Sequence, residues 1–228
     1  MIELQEVVIT YRKGQQIGPV TYQLTSGKIV ALVGENGAGK STLMKLIMGQ
    51  LPLDKGTITG IPQGRVRYMP DDLNFPTTLK VKEIIELLGK LKGITSRSQD
   101  DILQLVDLFE HKNSFVSELS KGMRQRLNFA QSLLGECDVY ILDEPTNGLD
   151  PYWINRVKSI LKEERNKGQL ILYSTHLLST VEEIADEVIF IHKGKILASG
   201  NISSLKRQYA EESLESLWLK LYLGEDLS

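Results

Sequence analysis

The chain of 228 residues is 41% hydrophobic and 25% charged, a composition that suits one soluble globular domain able to bury a substantial core. Its 27 Lys and Arg nearly balance 29 Asp and Glu, and the net charge of −2 excludes an overall electrostatic footprint for nucleic acid. The lone cysteine, Cys137, excludes an internal disulfide, suits a reducing compartment and reads as a buried, inert thiol beside an apolar run.

In chain order, "MIELQEVVIT" lacks the basic and long apolar regions of a targeting segment. The longest apolar runs, such as "VIFIH", are too short to cross a bilayer, so a soluble protein is expected. "EVVITY" and "TYQLTSG" read as early strands, and "GKIVALVG" as a short buried strand ending at glycine. "KSTLMKLIMG" follows as a helix closed by glycine, then "GTITG" and "RVRYMP" as strands. From Pro76 the period changes. "VKEIIELLGKL" places Val81, Ile84, Ile85, Leu88 and Leu91 on one helical face, and "DDILQLVDLF" does the same with Ile102, Leu105, Val106 and Phe109. After Gly135 the alternation resumes. "DVYILDEP" is a strand, "YWINRVKSILKEERNKG" a helix and "QLILYST" a strand. "LLSTVEEIA" is a helix, and "EVIFIHKGKILASG" a hairpin turning at Lys193-Gly194. In the tail, Leu214, Leu217, Trp218 and Leu221 form a weak stripe suited to docking on the body, or to a partner.

This alternation predicts an α/β fold with a mostly parallel sheet, an antiparallel β part at the N-terminus and an inserted helical subdomain. The divisions expected are a core of 1–75 and 136–200, a helical subdomain of 76–135 and a helical tail of 201–228.

"GENGAGKST", Gly34 to Thr42, fits the phosphate-loop pattern in the setting that its mechanism needs, between an apolar strand and a helix. Its glycines permit backbone angles that turn N–H groups onto phosphate oxygens at the positive end of a helix. Lys40 can reach β- and γ-phosphates, Ser41 can ligate Mg²⁺ and Thr42 can help hold the phosphates. "VYILDEP" ends an apolar strand in Asp143 and Glu144. The first is placed to hold Mg²⁺ and the second to polarise an attacking water.

"SELSKGMRQR" reads as a serine-capped helix start crowded with Lys121, Arg124 and Arg126, where cations are locally unfavourable and an anion would be welcome. A plain serine cap explains Ser120 equally well from these residues alone.

Tyr11, the phosphate loop, "LSKGM", "ILDEP", "NGLD" and "STH" occur in the order of the ATP-binding-cassette (ABC) proteins, whose nucleotide-binding subunits residues 1 to about 200 resemble. The resemblance implies an Mg²⁺-dependent ATPase working as a head-to-tail dimer with two ATPs at its interface. It implies a nucleotide held by Gly34, Asn36, Gly37, Ala38, Gly39, Lys40, Ser41 and Thr42, with Tyr11 stacked on adenine. Ser120 and Gly122 would cap the γ-phosphate on the partner's loop, His176 would be the switch histidine, and Asp150 would lie in the crossing loop. Lys40, Glu144 and His176 would be catalytic; Ser41, Asp143 and Asp71 would serve the metal.

Two departures stand out. The signature reads Leu119-Ser120-Lys121-Gly122-Met123 where LSGGQ is usual, and Asp71 stands where many members have glutamine. Both resemble ATPase subunits of bacterial ABC-2 type exporters. The resemblance implies a peripheral subunit on the cytoplasmic face of the cell membrane. Its partners would be an integral membrane permease and a second ATPase subunit, either a copy or a paralogue; no nucleic acid is expected. A non-transport ABC ATPase acting on ribosomes or DNA is the alternative, though such members generally carry two cassettes or a long insertion. A GTPase would need N-K-x-D, and Asn166-Lys167-Gly168-Gln169 lacks the Asp. His111 and His192 match no motif and read as surface or structural residues.

Overall fold

A computed structural model describes residues 1–11, 15–93 and 96–226, apart from the side chains of residues 11, 96–98, 225 and 226. Strands β1 (Ile2–Tyr11), β2 (Gln15–Leu24) and β4 (Lys55–Thr59) form an antiparallel sheet in the order β2-β1-β4. Strands β3 (Ile29–Val33), β5 (Val66–Met69), β6 (Val139–Leu142), β7 (Leu170–Thr175), β8 (Glu187–His192) and β9 (Lys195–Asn201) form the second sheet, in the order β5-β6-β7-β3-β8-β9. Its first five strands are parallel and β9 returns antiparallel to β8. The chain is thus α/β with a mostly parallel sheet and an antiparallel part at its start.

Strands β3, β6 and β7 are buried along their whole length, which is why they read as unbroken apolar runs rather than alternating ones. Val30 and Leu32 face one way, into a cluster with Leu4, Val20 and Leu24 of the antiparallel sheet and Leu43 and Met44 of helix α1 (Lys40–Ile47). Ile29, Ala31 and Val33 face the other way, toward helices α4 (Lys121–Ser132), α5 (Pro151–Asn166) and α6 (Leu178–Ile184). Helices α2 (Val81–Leu91) and α3 (Ser96–Leu105) add Val81, Ile84, Ile85 and Leu103 to that second cluster.

Three elements differ from the sequence pattern, the first being β1, which begins at Ile2 rather than at the expected Glu6. Strand β2 begins at Gln15 and ends at Leu24, ahead of the expected stretch, because its place is set by pairing with β1 from Ile2↔Leu24 to Tyr11↔Gln15. Helix α3 stops at Leu105. Asp107 adopts φ 53°, and Leu108 N–H closes the end by donating to Leu103 O (2.8 Å).

After α7 (Ile202–Tyr209), the last helix, α8 (Leu214–Asp226), lies on the body. Leu214 and Leu217 are fully buried, and Trp218 stacks on Phe190 of β8 at 5.6 Å. Burying two leucines contributes up to about 1.5–3 kcal/mol each, so the contact holds the helix down.

The register Val33↔Thr175, Leu142↔Tyr173 and Met69↔Leu142 brings four strand ends to one edge. From that edge leave the loop to α1, the Pro70-Asp71 segment, the Asp143-Glu144 pair and His176.

Candidate functional site

The loop from Gly34 to Gly39 is pressed between β2 and β8. A Cβ at Gly34 would lie 2.3 Å from Ile191 O, and one at Gly39, where φ is 108°, would lie 2.7 Å from Ile17 Cδ1. Glycine is therefore required for close approach at the first position and for both reasons at the second. Gly39 is also the N-cap of α1, so no side chain caps the first-turn N–H groups of that helix. Lys40 is buried and its Nζ folds back onto Gly34 O (2.7 Å) and Glu35 O (3.1 Å).

Over this loop lies a cavity of about 360 Å³. Asn36, Gly37, Gly39, Lys40, Ser41 and Thr42 line one wall; Gln15, Glu35, Asp71, Asp143 and Glu144 complete it. Gly34 and Ala38 support the loop from behind: Gly34 supplies a carbonyl to Lys40, and buried Ala38 accepts from Gly194 N–H (2.9 Å).

Asp143 and Glu144 are 3% and 7% exposed, and a carboxylate that deep needs partners. Ser174, at the end of β7, provides one. Its Oγ donates to Asp143 Oδ1 (2.5 Å) and accepts from Glu144 N–H (2.9 Å). Glu144 has φ 48°, a conformation uncommon outside glycine, and its carbonyl accepts from Gln125 Nε2 (3.1 Å). Its Oε2 meets His176 Nδ1 at 3.0 Å, while Oε1 lies 3.6 Å from Lys40 Nζ. That Oε1 is buried without a hydrogen-bond partner among the described residues, an acceptor still open to a donor.

Asp71 projects into the same cavity from the end of β5, its Oδ1 accepting from Asn147 Nδ2 (3.0 Å). Burial, with the charges of Asp143 and Asp71, pushes the neighbouring Tyr68 hydroxyl up to about 12.

Helix α4 ties these ends together through a row of amides. Gln125 donates to Glu144 O, Asn128 to Pro70 O (2.7 Å) and Gln131 to Tyr68 O (2.8 Å). Sequence reading missed this row and Ser174. The signals were an amide at every third position of the helix and the Ser-Thr pair closing the apolar run "LILY".

Ser120 and Gly122 do not line the cavity. Ser120 caps α4, accepting from Met123 N–H (3.2 Å). Arg124 donates to Leu119 O (2.5 Å), and Arg126 to Val106 O (3.1 Å) and Asp107 O (3.0 Å) while lying over the Trp153 ring. Arg124 is thus held on the carbonyl just before the helix start, and Arg126 is directed away to the end of α3. Asp150 caps α5 through Trp153 N–H (2.9 Å). Tyr11 ends β1 opposite Gln15, and its side chain lies outside the described residues. His111 is exposed, whereas His192 is buried.

The model of the family described as "ABC transporter" matches residues 17–147, which take in the loop, the amide row and the carboxylate pair. The chain belongs to the ABC transporter family. It is 33% identical over 235 residues to the lantibiotic transport ATP-binding protein SrtF of Streptococcus pyogenes, covering 99% of both chains. It is 33% identical to the bacitracin transport ATP-binding protein BcrA of Enterococcus faecalis, over 92% of this chain and 73% of that one. A solved ATP-binding subunit of an ABC transporter superposes with a TM-score of 0.89 at 30% identity, over 97% of this chain and 99% of that one. The chain is accordingly an ABC ATP-binding subunit with the family's nucleotide-binding fold. Among its described residues no helix is long and apolar enough to cross a membrane.

Proposed function

We propose that this subunit hydrolyses ATP with Mg²⁺ to power a membrane exporter, by closing on a second ATPase subunit. The observation that carries the proposal is the convergence of Lys40, Glu144 and His176 at the phosphate loop, with Glu144 Oε1 facing Lys40 and free of hydrogen bonds among the described residues. The donor set fits the nucleotide. An uncapped helix start and a buried lysine can receive phosphates, and Lys40 would exchange its loop carbonyls for β- and γ-oxygens. Mg²⁺ commonly takes one or two carboxylates and completes its shell with phosphate and water. Ser41 and Asp143 would hold it, with Asp71 within the same cavity. ATP supplies the phosphoryl group, and the metal would neutralise its charge.

Glu144 would accept the proton of the attacking water through Oε1. His176 would hold Oε2 through its Nδ1–H and contact the γ-phosphate, Thr42 would steady the phosphates and Tyr11 would stack on adenine. Ser120 and Gly122 stand outside this cavity, which favours their use on the nucleotide of the facing subunit. The second subunit is taken to be another copy, with a paralogue the alternative. The division into a core of 1–75 with 136–200, a helical subdomain of 76–135 and a helical tail of 201–228 belongs to this proposal.

Beside Asp71 lies an apolar groove of about 420 Å³ lined by Leu73, Phe75, Leu79, Ile84 and Leu87. Leu87 is 52% exposed, and such a groove suits the integral membrane permease on the cytoplasmic face. The relatives named for lantibiotic and bacitracin transport support transport, and export rests on the resemblance. The test is Glu144→Gln with ATP and Mg²⁺: light scattering should show dimers that retain nucleotide, and a chain that stays monomeric refutes closure.

A further inference from the structure

The phosphate loop carries a carboxylate of its own. Glu35 lines the cavity beside Lys40, in company with Asp71, Asp143 and Glu144. An incoming polyphosphate therefore meets several anions against one lysine of that wall, and a freely placed Glu35 would oppose binding. The sheet offers an attraction in the other direction. His192, the last residue of β8, is 1% exposed and has Nδ1 2.6 Å from Glu35 Oε1. The approach is off the line of a hydrogen bond, and neither ring nitrogen has a hydrogen-bond partner among the described residues. A buried imidazole in that state is costly unless its polarity is used. Its ring is covered by Tyr222 of α8, edge to face at 4.8 Å, and Tyr222 in turn lies against Trp218 at 5.7 Å. Trp218 is the residue that stacks on Phe190. One connected set of rings thus runs from the last helix to the loop.

We infer that His192 is a positioning residue for the nucleotide site: it draws the Glu35 carboxylate away from incoming phosphates, and α8 holds the imidazole in place through Tyr222. This rests on the nucleotide reading of the cavity. With its proton on Nδ1 the ring presents a donor to Oε1, and a small rotation of either side chain completes the bond. The role predicts dependence on ligand charge, which a purely structural histidine does not.

The test is calorimetric binding of ATP, ADP and AMP, each with Mg²⁺, to the full chain. His192→Leu should raise the Kd for ATP about fivefold, the scale of a partly exposed charge contact, with a smaller rise for ADP and the least for AMP. His192→Asn, whose amide nitrogen can take the Nδ1 position, should recover most of the affinity. Adding Glu35→Gln to His192→Leu should restore ATP binding to within about twofold of wild type, because the repelling charge is gone. Tyr222→Ala should reproduce the graded loss and Tyr222→Phe should not. An unchanged ATP Kd in a folded His192→Leu chain overturns the inference, as does an equal loss for all three ligands or a failure of Glu35→Gln to restore. If His192→Leu does not fold, Tyr222→Ala decides by the same grading. A wild-type chain that binds no ATP refutes instead the nucleotide reading itself.

Discussion

Ser174→Ala removes a single oxygen that serves both carboxylate-bearing residues of the site. The side chain is fully buried. Its donation to Asp143 Oδ1 has a charged acceptor, worth about 1.5–3 kcal/mol. The same substitution leaves Glu144 N–H without its acceptor, and an orphaned buried donor costs about 1–3 kcal/mol. The two losses share one group and are not additive in full, so roughly 3 kcal/mol is expected. In a chain of this length each kcal/mol moves the melting temperature by about 2–4 °C, which gives a fall of about 6–12 °C. Calorimetry of the nucleotide-free chain measures this directly. In the same preparation ATP hydrolysis should fall about tenfold or more, since Asp143 and Glu144 lose the group that orients them. Combining Ser174→Ala with Asp143→Asn should show coupling of about 1 kcal/mol or more. A melting temperature within about 2 °C of wild type, with hydrolysis intact, would refute the account of Ser174 as the joint between β6 and β7.

Gly34→Ala should destabilise the chain by about 3 kcal/mol or more, because its Cβ would press on Ile191 O, and a backbone carbonyl in a sheet cannot yield; an undisturbed melt would contradict this. Lys92 gives a pH test. Burial, with Arg67 nearby, lowers its ammonium to about 8, and Nζ donates to Gln131 O at 2.8 Å. Between pH 8 and the ordinary lysine value of about 10.5 the unfolded chain binds more protons there than the folded one, so this group's contribution to stability rises with pH across that window. After discounting for solvent screening, the rise is on the order of 1–2 kcal/mol. Denaturant titrations at pH 7.5 and 10 should show the rise in wild type relative to Lys92→Met, and equal differences at both pH values would refute it.

Much of the fold could be read locally. The change from apolar runs to helical spacing and back predicted an α/β chain, and the buried strands β3, β6 and β7 confirm the reason: both faces are covered, so their runs stay apolar until Ser174 and Thr175 close β7. The β2 boundary was misplaced because strand pairing, a nonlocal choice, decides where that strand starts. Helix α3 ended early because Asp107 turned into the left-handed region, which an apolar stripe continuing to Phe109 does not reveal. At the site, the Gly34–Thr42 loop was legible because its glycines answer to geometry within a few residues. Asp143 and Glu144 were legible from the strand that delivers them.

The sequence alone established the family, the loop that fits phosphates and the order of its companion motifs, since each is a short stretch whose chemistry depends on its neighbours in the chain. Only the tertiary structure decided which groups those motifs touch. Ser174 reaches Asp143 because β6 and β7 are adjacent and in register. Gln125, Asn128 and Gln131 face inward because α4 lies across the ends of β5 and β6. His192 meets Glu35 and Tyr222 because β3 and β8 end side by side beneath α8. Such contacts depend on the relative placement of elements far apart in the chain, and pattern along one segment does not carry that placement.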